Sequence, residues 1–289
     1  MDHFSHSWGQ PQNNSYAPYH QSQPGHGQPH AHTQNPIVTG TSVLGLKFAD
    51  GVVIAADNLA SYGSLARFTD VKRLRKFNSN AVVGFGGDVS DMQYLDRLLL
   101  SLQIGQEYQI PSHTLSSTPS SETSPATSSA PESEAERQAK TQLSAKNLHT
   151  YLAKVMYKRR TDFNPLWNAM LVAGLDDHGA PFLASADLLG TTFSSPTLAT
   201  GFGAHLAIPI LRNRVPDEEA AKNLSREEAV KIVKECMKVL FYRDARSSDN
   251  YSIAVVQKGE GVHLAEDEKL ENQSWAFAES IRGYGTQAV

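Results

Sequence analysis

The chain has little that would staple it, anchor it or draw it to nucleic acid. It has one cysteine, Cys236, in 289 residues. No disulfide can form within it, and a reducing compartment is expected. No apolar run approaches the roughly eighteen residues needed to cross a bilayer. The N-terminus has no apolar core of a secretory signal. A formal net charge of −4 is mild and has the wrong sign for a nucleic-acid binder. These absences lead us to expect a soluble intracellular protein with no membrane or nucleic-acid partner.

Two stretches also lack the aliphatic residues of a core. Residues 1 to about 36 are mostly Gln, Asn, His, Pro, Ser and Gly. Residues from about 106 to 140 carry "SSTPSSETSPATSSAPESEAE". Neither offers enough apolar surface to offset its ordering entropy, so both read as disordered. What remains suits one domain with a sizeable core. His3, His6, His20, His26, His30 and His32 crowd the first stretch. Their spacing is irregular and no Cys or carboxylate clusters with them, so no metal site and no cofactor are expected.

Between these stretches the patterning is strong. From Val43, small and apolar residues alternate, "ADG" supplies a turn, and "VVIAAD" follows, which predicts a hairpin. "VKRLRKF" (71–77) and "AVVGFGG" (81–87) predict a second hairpin. Met92, Leu95, Leu98, Leu99 and Leu102 recur at helical spacing from about Ser90. Leu148, Leu152, Val155 and Met156 mark another helix, ending in the cationic "YKRR" that suits a helix C-terminus.

"NAMLVAGLDDHGAPFLASAD" (168–187) predicts a third hairpin, and "GAHLAIPILRN" (203–213) a short helix with a kink or early first turn at Pro209. Ser225 and Glu228 form a capping box ahead of an apolar face of Ile232, Val233, Cys236, Met237 and Leu240. "YSIAVVQ" and "GVHL" form a last hairpin. Strands arrive in blocks and helices in pairs. The expected fold is α+β, a four-layer αββα sandwich of two antiparallel sheets with helix pairs on the outer faces.

"GTSVLGLKFADGVVIAAD", "GFGGDVSD" and "YRDARSS" together resemble the proteasome beta subunit family over about residues 37 to 265. "SYGSLARF", "RRTDFNPLWNAM" and "SPTLATGFGAHLA" resemble, more narrowly, its beta type-4 branch, the seventh position of the beta ring. The resemblance implies an N-terminal nucleophile hydrolase fold. In active members a threonine freed at its α-amine attacks the scissile carbonyl, with help from a lysine and a glycine N–H.

Carried over, Thr41 matches the nucleophile, Asp57 the first carboxylate, Gly87 the oxyanion-hole glycine, and Asp244 and Ser247 the supporting pair. Two positions depart. Arg73 stands at the lysine, and Phe202 replaces the serine of a Gly-Ser-Gly turn, removing a hydroxyl and adding bulk beside the site. A guanidinium stays protonated near neutral pH, so Arg73 cannot shuttle a proton. Neighbouring Lys72, read as part of a strand, would project to the other face. Taken blandly, Thr41 and Ser42 are a β-favouring pair, Asp57 a turn residue, and Arg73 with Asp57 a structural ion pair.

The expectation is a non-catalytic subunit of the 20S core that partners other alpha and beta subunits in the cytoplasm and nucleus. The alternative is an active threonine endopeptidase cut between Gly40 and Thr41. A free-standing amidohydrolase would need to work outside a ring. The resemblance also places a leader cut between His32 and Thr33, made in trans. That leaves residues 1–32 as a disordered propeptide, 33–265 as the subunit domain and 266–289 as a C-terminal arm. Trp275, Phe277, Ile281 and Tyr284 on that arm are costly to leave in water. By resemblance, they would contact the opposite beta ring.

Overall fold

The computed structural model describes residues 36–107 and 143–280. Thirteen strands lie among the described residues. They are β1 (Val38–Gly40), β2 (Val43–Phe48), β3 (Gly51–Asp57), β4 (Ala60–Tyr62), β5 (Leu65–Phe68), β6 (Leu74–Lys76), β7 (Ala81–Asp88), β8 (Asn168–Leu175), β9 (Pro181–Ala186), β10 (Thr192–Ser194), β11 (Thr197–Ala199), β12 (Asn250–Gln257) and β13 (Gly261–Lys269). The helices are α1 (Val89–Glu107), α2 (Ala145–Thr161), α3 (Gly203–Leu206), α4 (Ile208–Arg214), α5 (Glu218–Lys222) and α6 (Arg226–Arg243), with a 3-10 turn at Ala276–Ser280. The larger sheet runs β10-β9-β8-β7-β1-β4-β5, with β6 also on β7, and the smaller runs β11-β2-β3-β12-β13.

Period-two alternation decides which face of each strand is buried against what. Leu44, Leu46, Val53 and Ala55 point to one side of the smaller sheet. There they pack with Leu211 of α4 and Ile232, Val233, Cys236, Met237 and Leu240 of α6. Val43, Val52, Ile54 and Ala56 point to the other side and meet Leu74, Val82, Leu171, Ala173 and Leu183 of the larger sheet. The outer side of the larger sheet, through Val83, Phe85, Met170 and Val172, receives Met92, Leu95 and Leu99 of α1 and Leu148, Leu152 and Met156 of α2. At ~1.5–3 kcal/mol for each large apolar side chain, these clusters supply the main driving force of the fold. Gly84 lets the sheets approach: a Cβ there would lie 2.6 Å from Val43 Cγ1.

Ser225 caps α6, its hydroxyl accepting from the Glu228 N–H at 3.2 Å. Pro209 does more than kink one helix. It sits in the first turn of α4, after α3 has ended, so the expected single helix is two. Strand β13 runs on to Lys269, past the arm boundary expected at 265, because its ladder with β12 continues to Asn250↔Lys269. The expected insert from about 106 starts inside α1, which ends at Glu107.

Candidate functional site

Thr41 lies between β1 and β2, and the segment ahead of it is built into the larger sheet. Strand β1 pairs with β7 through Thr39↔Asp88 and Gly40↔Gly87. On its other side it pairs with β4 through Val38↔Tyr62 and Thr39↔Ser61. Ile37 N–H adds a bond to Asp88 Oδ1 at 3.0 Å. Beside Thr41, the exposed edges of β4 and β7 are therefore taken up by the chain's own upstream residues. Sequence reasoning missed β1: three residues carry no readable period, and both partners are distant along the chain.

Arg73 is the centre of the arrangement and is 1% exposed. Each of its five N–H donors has an acceptor. Nε donates to Asp57 O at 2.9 Å, Nη1 to Thr41 O and Phe85 O at 3.0 Å each, and Nη2 to Ser42 O at 2.9 Å and to the Asp57 carboxylate. The guanidinium thus ties β3, β7 and the Thr41–Ser42 turn together. Gly40 makes room for it, since a Cβ there would come within 2.4 Å of Arg73 Cδ. Burial pushes the Asp57 carboxyl up from its ordinary range, while the Arg73 charge and the Leu59 N–H pull it back down.

The Thr41 hydroxyl donates to Asp244 Oδ2 at 2.7 Å. Asp244 ends α6 and accepts the Arg246 N–H on Oδ1 at 2.9 Å, which fixes the carboxylate. Ser247 does not reach Thr41. Its hydroxyl bonds to Leu240 O and Asp244 O, both at 2.9 Å, and so finishes the end of α6.

Lys72 pairs with Asp70 at 2.7 Å and with Asp267, away from Thr41. Residues 71–73 precede β6 and are not in it. The separation of Lys72 from Arg73 therefore follows from these partners rather than from strand alternation. Hydrogen bonding to Lys72 holds the Asp267 carboxyl below its ordinary range.

A cavity of about 500 Å³ opens here, lined among others by Thr39, Thr41, Gly87, Trp167, Phe202 and Arg246. Gly87 has φ +91°, and a Cβ on it would lie 2.1 Å from Trp167 O. Phe202 lines the same cavity as Thr41 and is 56% exposed. Among the described residues, no group of His, Cys, Asp and Glu could hold a metal ion. His32 and Thr33, the expected processing pair, lie outside the described residues, as do Ile281 and Tyr284. Trp275 and Phe277 are described. They form an aromatic stack with Phe241 and Tyr242, with Tyr242–Trp275 centroids 5.0 Å apart.

Chemically, the Thr41 hydroxyl is oriented by a carboxylate and flanked by a guanidinium whose donors are all engaged. Among the described residues, no lysine ammonium is bonded to it. The comparisons agree on what this scaffold is. The proteasome subunit family model matches residues 37–110 and 127–256. The chain is 43% identical over 290 residues to proteasome subunit beta type-7 of Saccharomyces cerevisiae, covering 100% of both. It is 45% identical over 284 residues to a probable proteasome subunit beta type-7 of Schizosaccharomyces pombe, covering 98% of this chain and 97% of the relative. It is 42% identical over 261 residues to proteasome subunit beta type-4 of Xenopus laevis, covering 90% and 93%. The chain belongs to the proteasome family, among its beta subunits.

Proposed function

We propose that this chain is a non-catalytic, structural beta subunit of the 20S core, supporting ring assembly and thereby protein degradation by the whole particle. Its partners are other alpha and beta subunits, and it works where the particle does, in cytoplasm and nucleus. The observation that carries the reading is β1: the residues ahead of Thr41 form a strand between β4 and β7. Freeing the Thr41 amine would mean breaking the chain at the end of that strand. A substrate peptide approaching Thr41 would find both neighbouring strand edges already paired. Arg73 supports the same reading, because a saturated guanidinium neither accepts nor releases a proton.

The three apolar clusters support the finer architecture, a four-layer αββα sandwich of the N-terminal nucleophile hydrolase kind. The leader is cut in trans between His32 and Thr33, leaving the residues of β1 in place. The C-terminal arm, with Trp275 and Phe277 at its start, reaches the opposite beta ring.

A peptide epoxyketone, which needs both a threonine hydroxyl and a free α-amine, tests the proposal. In the purified particle this subunit is expected to stay unlabelled while active neighbours react. Stoichiometric adduct on Thr41 would overturn the reading.

A further inference from the structure

The loop after α2 holds a backbone conformation that its sequence does not favour. Phe163 N–H donates to Arg160 O at 3.1 Å, and Asn164 N–H to Arg159 O at 3.0 Å, the paired bonds of a Schellman end. The residue after the cap then lies in the left-handed region, where glycine is the usual occupant. Here it is Phe163, with φ 54°. Asp267 and Asn272 share that region, but their short polar side chains tolerate it. Phe163 has no such compensation, and its side chain is 84% exposed. Nothing within the described chain offsets either the strain or the exposed ring.

The C-terminal end of α2 has the composition of an interface hot spot. Arg160 stacks over the exposed Tyr157 at 5.6 Å, and Arg159 over the exposed Tyr94 at 5.5 Å. Arg159 Nε also donates to Asn164 O at 2.8 Å, which fixes that guanidinium beside the loop. Lys158 is paired with Asp162 at 2.9 Å. Neither Arg159 nor Arg160 has a carboxylate partner among the described residues. The helix end that carries Phe163 thus also carries two guanidiniums without a described carboxylate partner, each over an exposed aromatic ring.

We propose that Phe163 is an anchor that inserts into an apolar socket flanked by carboxylates on a neighbouring subunit of the particle. This rests on the reading of the chain as a proteasome subunit and names one surface through which it assembles. The exposed ring calls for an apolar socket. The two planar guanidiniums call for carboxylates, which they bind in a two-pronged fashion. Burial in the socket then offsets the strain that the free chain carries.

Phe163→Gly separates the anchor from the scaffold. Glycine relieves the left-handed strain, so the free full-length chain should melt about 2–4 °C higher. In cells making tagged wild-type and variant chains together, the variant should be depleted about tenfold or more in the purified particle. Phe163→Leu, which restores an apolar side chain, should recover most of the incorporation.

Incorporation of the glycine variant at parity would overturn the proposal. So would a lower melting temperature, because Phe163 would then serve the chain's own folding. Absence of the wild-type chain from the particle would instead overturn the subunit reading itself. Benzoylphenylalanine in place of Phe163 should cross-link to a neighbouring subunit beside Asp or Glu. A cross-link confined to this chain would refute the socket.

Discussion

Arg73→Met removes the guanidinium and keeps most of the apolar stem. Asp57, 1% exposed, would be left as a buried carboxylate without its countercharge. Removing one partner of a buried ion pair costs about 3–5 kcal/mol. The carbonyls of Thr41, Ser42, Asp57 and Phe85 lose a donor in the same step. Each unsatisfied acceptor costs up to ~1–3 kcal/mol, although neighbouring losses do not add simply. The expected total is at least ~4 kcal/mol, which lowers the Tm of a domain this size by about 8–16 °C.

Urea unfolding of the full-length chain, followed by tryptophan fluorescence, reads the difference. Arg73→Met combined with Asp57→Leu should recover at least ~2 kcal/mol relative to the sum of the two single changes, because no charge is then orphaned. It should still fall short of the wild type, since the four carbonyls remain without their donor. A single-variant loss below ~1 kcal/mol, or two changes that simply add, would refute the account of how the Thr41 region is held.

Thr41→Val deletes the hydroxyl bound to Asp244 at 2.7 Å. It should cost about 1.5 kcal/mol, the low end for a hydrogen bond to a charged group. The particle's peptidase activities should be unchanged, and loss of any one of them would contradict the structural reading. Burial pushes the Cys236 thiol up to about 12. The native chain should therefore resist iodoacetamide at pH 8 and react only once denatured; rapid native labelling would contradict the packing of α6. The same raised value means the thiol's contribution to stability is present below its unfolded value near 9 and is lost as pH rises toward 12. Ser225→Ala removes the α6 cap and should lower stability by about 1 kcal/mol in the same urea assay.

What the residues revealed in advance follows the range of the interactions. The hairpin β2–β3, the α6 cap and the α6 face depend on neighbours within a few positions, so alternation and capping chemistry exposed them. Arg73 was readable as a charge that cannot shuttle protons, but not as a five-way clamp. Four of its acceptors are main-chain carbonyls, on which residue identity is silent. Strand β1 was invisible for a related reason: its partners β4 and β7 close long loops, and "VTG" alone has no period. Resemblance marks Ser247 as a supporting residue beside Asp244, but not which atoms it bonds: its hydroxyl serves the unpaired carbonyls at the end of α6.

The central claim is that β1 stays attached to Thr41 in the working particle. Mass spectrometry of the subunit's N-terminal peptide, taken from the assembled core, measures this directly. A mature chain beginning at Thr33 and running unbroken through Gly40 into Thr41 is the expected result. A chain beginning at Thr41 would contradict the account, because the strand between β4 and β7 would be gone and the threonine would carry a free amine.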